Sequence, residues 1–95
     1  MTMEEFRRSS TESMHRSLLA LWWEVQGNWE KAHEVASEVK GSDGAKVHAY
    51  LHRREGDASN AAYWYRRAGA PVRMGDLDAE RDALVAEMSR APTAL

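Results

Sequence analysis

"LWWEVQGNWEKAHEVA" (Leu21–Ala36) lies over "YLHRREGDASNAAYWY" (Tyr50–Tyr65) at a constant offset, and the two stretches share one pattern. Each runs apolar and charged residues into a glycine, follows it with Asn or Asp, and places alanine five residues after the glycine: Gly27-Asn28…Ala32 and Gly56-Asp57…Ala61. Glycine suits a helix exit because it adopts positive φ without penalty. An Asx side chain caps the next helix by accepting its orphan N–H groups. The alanine lets that second helix approach the first, where Ala20 and Ala49 stand seven residues before each glycine to receive it. A third turn, Gly75-Asp76, has Ala79 one residue early and matches less well.

On either side of these turns, helix signals dominate. From Thr11 to Gln26, Met14, Leu18, Leu21, Trp22 and Val25 follow a 3.6-residue period, and Ser9 with Glu12 has capping-box spacing. Asn28 opens a second helix, in which Trp29, Ala32, Val35, Ala36 and Val39 share a face, closed by Gly41. A third is expected from Gly44 to Glu55, a fourth from Ala58 to Ala68 capped by Asp57, and a fifth from Leu77 to Arg90 capped by Asp76. No stretch alternates with period two for long enough to make a strand. The expected fold is all-α: about five short antiparallel helices in one domain. Residues 1–9 form a tail, 10–40 and 42–69 two hairpins, 70–76 a loop, 77–90 a capping helix and 91–95 a second tail.

The turn Gly27-Asn28-Trp29 with Ala32, and Gly56-Asp57 with Ala61, Tyr65 and Ala68, resemble the tetratricopeptide repeat family over residues 11–69. The spacing is shorter than in that family and its usual terminal proline is missing. The resemblance implies two helical hairpins closed by a capping helix, and a surface that binds a protein or peptide. On that basis the leading expectation for function is an interaction or adaptor domain.

Composition narrows the alternatives. The 95 residues include no cysteine, which removes disulfides, thiol catalysis and thiolate metal sites. No apolar run reaches the length of a membrane span and the first residues lack a signal-peptide core, so a cytoplasmic location without membrane partners is expected. Net charge is −2, which argues against nucleic acid as a bulk electrostatic partner. Bases concentrate in residues 46–73 and acids in 74–95, so basic and acidic faces are expected to meet within the fold or across a dimer.

Leu18, Trp22, Val47 and Tyr50 lead a second apolar stripe that five short helices do not easily cover, with Arg53 and Arg54 beside it. An uncovered patch of that kind marks a binding surface, so these six residues are expected to contact a partner or a second copy of the chain. The acidic fifth helix is the competing cover. The alternative class of function is a pocket protein or small enzyme with a site between the third and fourth helices, lined by His33, His48, His52, Asn60 and Tyr63. His48 and His52 stand i, i+4 and can present two imidazoles to one metal, with His33 joining them and Glu30, Glu55 or Asp57 completing the set. "HAYLH" lacks the helper glutamate of an HExxH zinc site, so the expectation is hydrogen-bonded packing and no metal, with a metal on His48 and His52 as the alternative. No phosphate loop, nucleotide fingerprint or nucleophile elbow is present, and no cofactor is expected.

Overall fold

Residues 2–89 are described by the computed structural model, and their backbone follows the Gly-Asx punctuation. The helices are α1 (Met3–Arg7), α2 (Arg16–Val25), α3 (Trp29–Ser37), α4 (Gly41–Arg54), α5 (Ala58–Ala68) and α6 (Leu77–Ser89). The fold is all-α, with no strand among the described residues.

The two hairpins repeat each other bond for bond. Gly27 and Gly56 take φ of +90° and +89°. The next N–H reaches back five residues in each case, Asn28 to the Trp23 carbonyl at 3.0 Å and Asp57 to the His52 carbonyl at 2.8 Å. The Asx carboxamide or carboxylate then accepts from the third residue on, Lys31 N at 3.0 Å and Asn60 N at 3.1 Å. Each glycine thus closes one helix with a left-handed cap while its neighbour opens the next, which satisfies orphan groups on both sides of the turn. Ala20, Ala32, Ala49 and Ala61 are all buried, as close helix approach demands. Asp76 caps α6 in the same manner through Ala79 N at 2.9 Å.

Between the hairpins, α3 runs almost directly into α4. Gly44 is what permits it: a Cβ there would run into the Val39 carbonyl and come within 2.9 Å of Val39 Cβ. That tight junction brings the middle of α4 against α3, which positions the site described below.

The N-terminal segment departs from expectation. Within the tail expected over 1–9, residues 2–9 hold a helix instead: α1 forms with its own capping box, Thr2 with Glu5, and buries Phe6 completely. The capping box expected of Ser9 and Glu12 is absent. Ser9 Oγ donates to the Glu5 carbonyl, and α2 starts only at Arg16. The expected end of the last helix at Arg90 and the tail 91–95 lie outside the described residues.

The stripe is covered by α6, the expected fifth helix, together with α1, which was not expected. Phe6, Leu84, Val85 and Met88 join Leu18, Leu21, Val47, Tyr50 and Leu51 in one core cluster. Two of the stripe's basic neighbours are tied to α6: Arg53 bonds Glu80 and the Gly75 carbonyl, and Arg54 bonds Asp78 at 2.8 Å. Buried Glu80 also accepts from Tyr65, so α4, α5 and α6 meet on one carboxylate. The basic and acidic halves of the sequence therefore meet inside the fold.

Candidate metal centre

The six residues expected to face a partner are mostly spent on the fold. Leu18 is 9% exposed, and Val47 and Tyr50 are fully buried. Trp22 is half-buried and donates its indole N–H to the Arg7 carbonyl. Arg53 and Arg54 are held by α6, and Arg54 also donates to the Tyr50 hydroxyl at 2.8 Å. The expectation of an uncovered stripe is thus corrected for Leu18, Val47 and Tyr50, which are core, with Trp22 packed at its edge.

The histidines come together instead. His48 and His52 follow each other by one turn of α4 and are each 5% exposed, while His33 reaches across from α3. One ring nitrogen from each lies within 4.8 Å of the other two. The rings meet edge to face, with His33 and His48 centroids 4.7 Å apart at 90° and His33 and His52 5.3 Å apart at 69°. Tryptophans wall the cluster at both ends. Trp29 stacks on His33 at 4.9 Å, and Trp64 of α5 stacks on His48 at 4.0 Å. Trp29 is fixed in turn by donating Nε1–H to the Leu51 carbonyl at 2.7 Å.

Hydrogen bonds decide which nitrogens are free. Glu55 Oε2 lies 2.7 Å from His52 Nδ1, and a carboxylate accepts, so the proton sits on Nδ1 and Nε2 keeps its lone pair. Ser37 Oγ donates to the His33 carbonyl at 2.8 Å and stands only at 3.4 Å from His48 Nε2. The Gly44 carbonyl, one turn back, favours a proton on the His48 ring. With its one hydrogen on the His33 carbonyl, Ser37 Oγ accepts from His48 Nε2, so a metal on that nitrogen requires the proton to move to Nδ1. Neither ring nitrogen of His33 is hydrogen-bonded among the described residues, so this imidazole is uncommitted.

Electrostatics agree with a ligand role. Burial, with the rings of His33 and His52 alongside, pulls His48 down to a pKa of about 4. His33 is lowered too, by burial first and by His52 next, with Glu55 opposing. Neutral imidazole is the metal-binding form, so these two rings need lose no proton at pH 7.

Two residues of the expected pocket stay outside. Asn60 gives its backbone N–H to the Asp57 cap, and Tyr63 is 45% exposed with its hydroxyl accepting from Arg67. Neither bonds an imidazole among the described residues. Ser37, Trp29 and Trp64 take those positions, and no spacing in the sequence singled out Ser37. Glu55, one of the three carboxylates expected to complete the site, instead sits behind His52 and holds its ring through Nδ1.

No protein-family model matches the chain, and no curated protein or solved structure is significantly similar to it. What the centre can do is decided by its own geometry. Packing asks that each buried imidazole be hydrogen-bonded. It does not ask that one ring nitrogen from each of three histidines on two helices converge. Zinc–nitrogen bonds of about 2.0–2.1 Å in tetrahedral geometry hold ligand nitrogens roughly 3.3 Å apart. To hold a metal the three nitrogens would have to draw together by at most about 1.5 Å.

Proposed function

We propose that this domain binds a divalent transition metal of the zinc and cobalt class through His33, His48 and His52, as a pocket protein rather than an adaptor. The convergence of one nitrogen from each ring within 4.8 Å carries the proposal. Three imidazoles suit borderline metals such as Zn²⁺, Co²⁺ and Ni²⁺ far better than Mg²⁺ or Ca²⁺, which prefer oxygen ligands. A three-histidine set also leaves at least one coordination position for water or a small ligand, the arrangement of open rather than purely structural zinc sites. Glu55 supports it by holding His52 in the tautomer that offers Nε2.

Isothermal titration of the metal-free protein with Zn²⁺ or Co²⁺ at pH 7.5 tests this. One ion is expected per chain, and a free concentration a hundredfold above Kd stabilises the fold by about 2.7 kcal/mol. His33→Ala and His52→Ala lose the binding. His15→Ala keeps it, since His15 is exposed at the start of α2, remote in sequence from the cluster. Zinc that leaves the melting temperature unmoved, or that binds His52→Ala as well as wild type, returns the cluster to a packing role.

A further inference from the structure

Beside the histidines lies a cavity of about 500 Å³ between the end of α3, the start of α4 and one side of α5. Its lining includes Ser37, Lys40, Ser42, His48, Trp64 and Arg67, and no carboxylate. In a chain of net charge −2 this is a local inversion of sign. Most of the other arginines near the core are consumed by acids. Lys40 and Arg67 make no ion pair among the described residues. Arg67 is nevertheless held in place: its guanidinium lies 5.2 Å over the Trp64 ring and donates to Tyr63 Oη at 3.1 Å. Ser42 ties α4 to the end of α5 by donating to the Ala68 carbonyl at 2.9 Å, which closes that side of the cavity.

His48 belongs to both the cavity wall and the triad. A metal held by the His48 ring would therefore lie beside this cavity, with Ser37 also in the wall. Three neutral imidazoles cancel none of the charge of a divalent ion, and two further cations line the approach to it. We infer that the open coordination position takes a small oxyanion, a carboxylate or a phosphate, which enters through this cavity and is paired by Lys40 and Arg67. A planar guanidinium matches the fork of either oxyanion, while a lysine supplies a point charge. Trp64 already has His48 stacked on it, which leaves that face no room for a flat aromatic ligand and favours a compact anion. The inference rests on the metal reading above.

The test uses the cobalt-loaded protein, whose visible spectrum reports a change in the metal's ligands. It is titrated with acetate and, separately, with methyl phosphate, at ionic strength held constant with chloride. A saturable spectral change is expected with at least one of them, and the one preferred names the oxyanion. The double variant Lys40→Gln/Arg67→Gln is expected to keep its cobalt affinity while its apparent Kd for the anion weakens by of order tenfold or more. A spectrum indifferent to both anions overturns the inference and leaves the metal centre standing. A double variant that responds as wild type does overturns it too. Failure to bind cobalt at all removes the metal centre and this inference together.

Discussion

Burial and the neighbouring rings move His48 from its ordinary pKa of 6.5 to about 4 in the folded chain, and that gap couples folding to pH. Between those values the unfolded chain holds a proton that the folded chain refuses. Stability therefore rises with pH across the window: the contribution is complete above about 6.5 and gone below about 4. A gap of about 2.5 in pKa at about 1.36 kcal/mol per unit sets the scale at roughly 3 kcal/mol. Urea denaturation in chelator at pH 4.5 and pH 7 reads the effect, which is expected to shrink markedly in His48→Gln. An unchanged slope in that variant places the proton uptake elsewhere. The carboxylates lowered by their partners, Glu5 and Asp78, titrate beneath most of this window and do not mimic it. At this scale the sequence was half legible. The i, i+4 spacing of His48 and His52 follows from helix geometry alone. The choice of Ser37, Trp64 and Glu55 as their surroundings depends on how α3 and α5 lie against α4, which no spacing encodes.

At the scale of elements, the Gly-Asx turn is the unit that repeats. Gly56 has φ of +89° with open space around the missing Cβ, so a substitution there acts through backbone conformation, not through a clash. Gly56→Val is expected to destabilise by about 1–2 kcal/mol or more, since branched residues pay most for a left-handed conformation. Gly56→Asn is expected to cost less than half as much, because asparagine tolerates that region. Urea midpoints of the two variants check the ordering, and equal losses contradict it. Helices α3, α5 and α6 begin at the capping residues expected of them, because each Asx caps locally and needs no distant partner. Helix α2 did not follow its apolar period back to Thr11. Periodicity cannot say where a helix must stop to let another segment in, and α1 packs against α2.

For the molecule as a whole, closure comes from its two ends. Phe6 has no exposed surface and belongs to the same cluster as Leu84, Val85 and Met88, so α1 and α6 complete one core with the hairpins. Phe6→Ala is expected to cost about 3–5 kcal/mol, the range for a large aromatic removed from a packed interior. Thermal or urea unfolding measures it, and a loss below about 1 kcal/mol shows α1 to be an appendage. No helix among the described residues is long and apolar enough to cross a membrane.

The all-helical class, the two Gly-Asx hairpins with their caps, and the alanine seams are legible in the residues alone, because each depends on contacts within a few residues along the chain. The rest came from packing between distant elements. That packing turned the apolar stripe of Leu18, Val47 and Tyr50 into core by folding α1 and α6 over it, and it spent Arg53 and Arg54 on Glu80 and Asp78. It also brought His33 to His48 and His52 across the α3–α4 junction that Gly44 makes possible. An amphipathic pattern states that a face must be buried. Which segment buries it, and which side chains converge beneath, is settled by the packing of elements far apart in the chain.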